Sequence, residues 1–322
     1  MSLRLSLALE AGLELSGPVT ALLPTPDHDL SVLPGPTRVV QPFKPYFDHF
    51  QARGLACQPD LEVREGDSVL FLPRSKAQAR DLVARAVRAG GTVVVDGAKT
   101  DGIDSILKEI RKRVPIEGPM SKAHGKIFWF RAEADSFGDW LADGPAMVDG
   151  FRVAPGIFSS DGIDPASAML LSSLPEGPGK RIADLGAGWG FLAAKLLESD
   201  GVEKLYLVEA DHVALTCARE NVRDTRATFV WADARDWRAG ETVDAVVMNP
   251  PFHAGRMADP GIGQAFVAAA ARLLAPSGNL WVVANRHLPY EASLQAHFGK
   301  FEEIAGDNRF KVLHAARPTR TR

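Results

Sequence analysis

The sequence predicts an α/β protein built from two tandem units, each alternating strands and helices around a mostly parallel sheet. Three observations carry this expectation. Short apolar runs rich in Val and Leu recur at residues 67–73, 91–97, 243–251 and 278–285; a stretch with helical periodicity follows each of them; and the order strand, helix, strand, helix occurs once in each half. The expected division is 1–149 and 150–322.

In the first half, DSVLFLP at 67–73 reads as a strand, SKAQARDLVARAVRAG as a helix with Ser75 as N-cap and Gly90-Gly91 as stop, GTVVVDG at 91–97 as a strand and SILKEIRKRV as a helix. Residues 55–59 and the Pro/Gly-rich region before them are expected to set a leading segment apart from this pattern. In the second half, VDAVVMNPP at 243–251, GQAFVAAAARLL, GNLWVVAN at 278–285 and EASLQAHFG repeat the order. Both halves finish in a basic-aromatic strand, GKIFWF at 125–130 and NRFKVLH at 308–314, so the chain reads as an internal duplication. A linker is expected around FGDWLADGPAMVDG at 137–150, where glycines interrupt any helix period.

Composition narrows the class. A chain of 322 residues, 46% apolar and 24% charged, has the make-up of a soluble globular protein with room for two cores. No run of about 18 apolar residues exists to span a bilayer, and the start lacks a signal peptide's unbroken apolar stretch, so a cytoplasmic location is expected. Cys57 and Cys217 offer neither a disulfide framework nor metal-ligand spacing, and no metal is expected. A net charge of −3 argues against gripping nucleic acid by bulk electrostatics. Lys108, Arg111, Lys112 and Arg113 nevertheless fall on one predicted helix, Lys122 and Lys126 follow, and Arg317, Arg320 and Arg322 end the chain. These are either a solvated face and tail or a phosphate-contacting patch.

The second half carries the chemistry. RIADLGAGWGFLAAKLLES reads as strand, glycine turn and helix, with Asp184 closing the strand and Gly186, Gly188 and Gly190 alternating through the turn. Such a turn brings backbone N–H groups to a ligand at the carboxyl edge of a parallel sheet. Alone it also suits a nicotinamide or flavin protein, or a structural turn. Two further strand ends sharpen it: Glu209, followed by Ala210, is placed to take the two hydroxyls of a ribose, and Asp233, followed by Ala234, to take an adenine amino group. Acids at strand ends commonly cap the next helix, but three in succession describe a nucleoside site. An acid immediately before the glycines disfavours a pyrophosphate and suits a cationic amino-acid end.

The fourth strand runs into Asn249-Pro250-Pro251-Phe252. Consecutive prolines stiffen the turn and remove two donors, leaving the Asn249 side chain and the Pro250 carbonyl as acceptors. An amine conjugated to a ring is a poor nucleophile, because its lone pair is delocalised. Two acceptors, one per N–H, hold the nitrogen so that its lone pair faces an activated methyl group, and no strong base is needed. Phe252 can stack on an extruded base. A tight turn with a core phenylalanine is the structural alternative.

DLGAGWG, VEAD, ADA and NPPF in this order resemble the amine-modifying class I S-adenosylmethionine-dependent methyltransferases. PGIFSSDGIDPAS at 155–167, NPPFHAG, VANRHLPY and NRFKVLHA are similar more narrowly to the bacterial ribosomal RNA guanine-N2 methyltransferases of the small-subunit, RsmC type. The resemblance covers about residues 67–315. It implies two tandem Rossmann-like methyltransferase domains, each with a mostly parallel seven-stranded sheet, the first degenerate with an RNA-binding or structural role and the second catalytic. It further implies S-adenosylmethionine as cofactor, and ribosomal RNA or the small ribosomal subunit as partner. By residue, it places Asp184, Gly186, Ala187, Gly188, Glu209, Ala210, Asp233, Ala234 and Asn249 at the cofactor, and Asn249, Pro250 and Phe252 at the target guanine. Phe158 and Asp161 would close over the cofactor unless they belong to a plain interdomain turn. Arg309 and Lys311 would meet RNA phosphate or lie on a solvated face. Trp189 stands where a small residue is usual, and His253 is expected to be structural or RNA-facing. A protein glutamine methyltransferase, another RNA amine methyltransferase and a non-enzymatic RNA-binding factor are the alternatives.

Overall fold

The computed structural model describes residues 3–319 apart from 143, 252, 255, 256 and 259. The chain divides into two compact units, one of residues 1–146 with 154–156 and the other of residues 147–153 with 157–322. In the first, strands β1 (Val19–Leu22), β2 (Thr37–Val40), β3 (Ala56–Gln58), β4 (Asp67–Phe71), β5 (Val93–Ala98), β6 (Glu117–Lys122) and β7 (Gly125–Phe130) form one sheet in the order β3-β2-β1-β4-β5-β7-β6. Helices α1 (Leu3–Glu10), α2 (Lys44–Gln51), α3 (Lys76–Ala89) and α4 (Ile103–Ile110) belong to this unit. β8 (Ala146–Val148) and β9 (Phe151–Val153) form a short ladder of their own.

The second unit repeats the plan. Strands β10 (Arg181–Leu185), β11 (Lys204–Glu209), β12 (Ala227–Trp231), β13 (Val243–Met248), β16 (Leu274–Asn285), β17 (Phe298–Gly306) and β18 (Phe310–Pro318) lie in the order β12-β11-β10-β13-β16-β18-β17. β14 (His253–Ala254) and β15 (Met257–Ala258) pair separately. The helices are α5 (Pro165–Ser172), α6 (Phe191–Leu196), α7 (His212–Asn221), α8 (Pro260–Leu273) and α9 (Tyr290–His297). In each sheet the first five strands are parallel and the basic-aromatic strand, β7 or β18, runs antiparallel to its neighbours. The two orders match position for position, as a duplicated α/β unit requires.

Central strands covered on both faces read as continuous apolar runs, not as alternation. Val246, Met248, Leu280 and Val282 are fully buried with Ala183 and Leu185 in the second core. Each such aliphatic side chain contributes about 1.5–3 kcal/mol through burial. The registers Leu185↔Val208 and Leu185↔Met248 align the strand ends, so the residues leaving β10, β11 and β13 emerge at one edge. Helix starts follow local chemistry: Ser75 caps α3, accepting from the N–H of Gln78, and Asp211 caps α7, accepting from Val213 and Ala214.

Three expectations are corrected. The leading segment is not separate: β1, β2 and β3 are integral to the first sheet, and strands of three or four residues among prolines give too little pattern to read. The 137–150 stretch is not all linker, because the wholly buried Phe137 and the nearly buried Trp140 close the first core and Arg113 packs over both rings. α4 stops at Ile110, so Arg111, Lys112 and Arg113 lie in the turn after it, and Arg113 pairs with Asp139. The register Leu22↔Leu70, matching Leu185↔Met248, gives Phe71 the place in the first sheet that Asn249 has in the second.

Candidate active site

The site gathers at the carboxyl edge of the second sheet. Gly186 leaves β10 with φ 79° and donates its N–H to the carbonyl of Val208 at 2.8 Å. That left-handed conformation costs a residue bearing a Cβ roughly 1–2 kcal/mol. Gly190, at φ 91°, leads into α6 pressed against Ala218 and Val222, where an added Cβ would stand 3.1 Å from Val222. Between them Trp189 is 5% exposed and packs against Phe151 and Phe191, with ring centroids 4.9 and 5.9 Å away. Its ring therefore joins an aromatic cluster, although the residue still borders the pocket below the turn.

Asp184, next to last in β10, is 1% exposed and neither carboxylate oxygen has a hydrogen-bond partner. Burial, with the charge of Glu209 adding to it, pushes its carboxyl up to about 8. An unpaired polar group at this depth costs about 1–3 kcal/mol, more if charged, and is the mark of a site awaiting a donor or a cation. Glu209 ends β11 and accepts from the N–H of Gly188 at 2.7 Å and from that of Asp211 at 2.8 Å. Burial raises its carboxyl to about 7, against the opposing hydrogen bond from Asp211. Each Glu209 oxygen keeps lone-pair capacity for a vicinal diol. A nucleoside with a cationic tail fits this donor set.

Gly186, Ala187, Gly188, Phe158 and Asn249 line one pocket, together with Asp164 and Ser167. A second pocket is bounded by Asn249, Pro250, Asn285, Tyr290, Phe310 and, again, Phe158 and Asp164. Asn249 is therefore a wall common to both. Its Nδ2 donates to Asp164 Oδ2 and Ser167 Oγ, each at 2.9 Å. Phe158 is 60% exposed, an apolar ring at the mouth of both spaces. Sequence reasoning did not single out Asp164, Ser167, Asn285, Tyr290 or Phe310, although all five lie in the segments PGIFSSDGIDPAS, VANRHLPY and NRFKVLHA that carry the family resemblance; the Asp164-Pro165 helix start is a signal for capping.

Asp184 and Glu209 lie behind the glycine turn and line neither pocket, although Glu209 accepts from Gly188, which does; further expected residues lie apart as well. Asp233 stands beyond the end of β12 with its oxygens taken by Arg235. Burial raises its carboxyl, but the Arg235 hydrogen bonds outweigh this and hold it below the ordinary range. Ala234 is buried in the core, and Ala210 uses its carbonyl to accept from the Trp231 indole N–H at 2.9 Å. Lys311 is corrected: at 4% exposure and bonded to Glu291 at 2.5 Å, it cannot meet phosphate, whereas Arg309 is largely exposed beside the Phe310 ring. Asp161 is exposed. Phe252, Arg320, Arg322 and the side chain of His253 lie outside the described residues. Burial raises both cysteine thiols to about 11. Among the described residues, no group of three or more His, Cys, Asp or Glu is arranged to hold a metal ion, and no helix is long and apolar enough to cross a membrane.

Comparison with known proteins agrees with this geometry. The methyltransferase small domain family model matches residues 150–314. The ribosomal RNA small subunit methyltransferase C of Hahella chejuensis is 31% identical over 264 residues, 77% of this chain and 76% of that protein. The ribosomal RNA large subunit methyltransferase G of Shewanella amazonensis is 32% identical over 249 residues, 71% of this chain and 63% of that protein. Among solved structures, the T. thermophilus 16S rRNA N2 G1207 methyltransferase (RsmC) in complex with AdoMet and guanosine shares the fold, with a TM-score of 0.78 over 97% of this chain and 91% of that one, at 24% identity. With half its length matched by the family model and relatives above 30% identity along most of it, this chain belongs to the methyltransferase small domain family, among the ribosomal RNA methyltransferases.

Proposed function

We propose that this chain transfers a methyl group from S-adenosylmethionine to the exocyclic N2 amine of a guanine in small-subunit ribosomal RNA. The observation that carries the reading is Asn249, the shared wall between a pocket roofed by the glycine turn and a pocket lined by Pro250, Asn285 and Phe310. The first pocket suits the cofactor. Asp184 would face its amino-acid end, Gly186, Ala187 and Gly188 would lie against it through their backbone, and Glu209 would take the ribose hydroxyls. Ala210, Asp233 and Ala234 would border the adenine, with Phe158 covering the mouth. When bound, the cofactor supplies an electrophilic methyl group on a sulfonium.

The chain's own residues position the amine. Asn249 Oδ1 accepts one N–H of the target and the Pro250 carbonyl the other, which turns the nitrogen lone pair toward the first pocket. The second pocket excludes water from the planar ring, and the proton shed after alkylation passes to these acceptors and then to solvent. Residues 1–149 form a degenerate copy whose role is structural or in RNA contact, and the partner is ribosomal RNA or the small subunit, met in the cytoplasm.

The similarity to large-subunit methyltransferase G supports a second reading, in which the guanine lies in large-subunit RNA. Small and large subunits from cells lacking this protein, incubated with it and labelled S-adenosylmethionine and then digested to nucleosides, separate the two. We expect label in N2-methylguanosine from the small subunit; label from the large subunit moves the substrate, and label in protein overturns the proposal.

A further inference from the structure

Asn249 is held in one orientation by residues 82 and 85 positions before it in sequence. Asp164 Oδ2 receives its Nδ2 at 2.9 Å while also receiving the N–H of Ser167 at 2.8 Å as the cap of α5. Ser167 Oγ, on a residue only 8% exposed, receives the same Nδ2 at 2.9 Å. An ionised carboxylate can only accept, so the nitrogen of the carboxamide, and not its oxygen, must face Asp164. Both N–H groups of Asn249 are then spent inside the protein, and Oδ1 is left as the polar atom its side chain can turn to substrate. A carboxamide flipped by 180° would set N–H against the N–H of an amine, donor against donor.

From this geometry we infer that Asp164 and Ser167 are positioning residues that lock the Asn249 carboxamide with its oxygen toward the target. The inference rests on Asn249 being the amine holder. The lock also selects the substrate edge, because an acceptor in that place repels a base carbonyl and welcomes an amine. The lock residues are the N-cap of α5 and a residue of its first turn, so the start of this helix serves the corner after β13 as well as its own cap.

Ser167→Ala isolates the lock. It keeps the backbone N–H that Asp164 caps and introduces a better helix former, so the fold is retained. In the full-length protein we expect kcat to fall about 5–20-fold, with KM for ribosomal subunits unchanged and affinity for S-adenosylhomocysteine, whose proposed pocket Ser167 also borders, falling by no more than about twofold. Guanosine titrated onto the S-adenosylhomocysteine complex should bind about 3–10-fold more weakly. Asp164→Ala should lose more, about 10²-fold in kcat, and Asp164→Asn, which keeps an acceptor oxygen, should recover most of it. In single-turnover cycles Ser167→Ala should cost nothing further in an Asn249→Ala background, because the group it orients is gone. Wild-type kcat in Ser167→Ala, an equal loss in the Asn249→Ala background, or a loss expressed chiefly in cofactor affinity overturns the lock. Wild-type turnover in Asn249→Ala alone instead sinks the underlying reading of the corner.

Discussion

The two halves share one backbone and differ in what their polar groups are left to do. After β1, Leu23 adopts φ 55° and donates its N–H to the carbonyl of Val40 at 2.9 Å; after β10, Gly186 adopts φ 79° and donates to Val208 at 2.8 Å. Two residues before each, Ala21 stands where the second half has Asp184. Gln41 follows β2 as Glu209 ends β11, and each accepts from the N–H two residues on, Phe43 at 2.9 Å and Asp211 at 2.8 Å. At the other end the direction reverses: Gln41 donates to the carbonyl of Pro24 at 2.7 Å, whereas Glu209 accepts from Gly188. In the place that Asn249 has in the second half the first has Phe71, its ring 4.0 Å from that of His28. Burial, aided by the charge of Arg4, lowers His28 to about 4, and its Nδ1 accepts from Thr25, so the ring is neutral and spoken for. At this edge, among the described residues, Gln41 and His28 of the first half are bonded within the protein, whereas Asp184 of the second is left unpaired. On our proposal the first half keeps the geometry without the chemistry, because Ala21 replaces the carboxylate of Asp184 and Gln41, in the place of Glu209, is bonded within the protein.

The sharpest break is expected at the corner. Asn249→Ala should cut single-turnover methylation by about 10²–10³-fold, the scale for removing one preorganised transition-state contact, with S-adenosylhomocysteine affinity unchanged by calorimetry. Phe71→Leu, at the matching place in the first half, should leave turnover unaltered. Next comes the carboxylate the first half lacks. Asp184→Asn should weaken cofactor binding by about 10²-fold or more while raising the melting temperature of the cofactor-free protein, because it removes a buried carboxyl without partners.

The pH response follows from the same group, with a definite sign. A carboxyl raised to about 8 in the folded protein lends stability that is complete below its unfolded value, near 4, and is lost as pH rises through about 8. The cofactor-free protein should therefore lose stability between pH 5 and 8, and Asp184→Asn should reduce that slope in thermal unfolding curves, leaving the share that Glu209, raised to about 7, contributes with the same sign. Cofactor affinity should move oppositely, rising up to about tenfold per pH unit from pH 6 toward 8 as the carboxylate that meets the cation forms. The smallest effect is expected from Gln41→Glu, which sets an acceptor against the Pro24 carbonyl. It should destabilise the protein by about 1–3 kcal/mol in denaturant unfolding and create no second cofactor site.

Much of this was legible in the sequence. The buried central strands declared themselves as apolar runs, and the sequence put the glycine turn, Asp184, Glu209 and Asn249 at carboxyl strand ends, where the strand registers place them. β1 and β2 were not legible, because four residues between prolines and glycines carry no period. Nor were the edge strands β6 and β17, whose mostly exposed faces need no apolar alternation. Asp164 and Ser167 escaped for another reason: their tie to Asn249 spans more than eighty residues, and only a three-dimensional hydrogen bond reveals it. Lys311 misled, since a lysine in a basic-aromatic strand reads as surface until its partner Glu291 is seen.

The most direct test of one working half and one closed half is the stoichiometry of cofactor binding to the full chain. Titration with S-adenosylhomocysteine should give one site per chain, abolished by Asp184→Ala and untouched by Gln41→Ala. Two sites per chain, or a single site that survives Asp184→Ala, would contradict the assignment of the cofactor to the unpaired carboxylate of the second half.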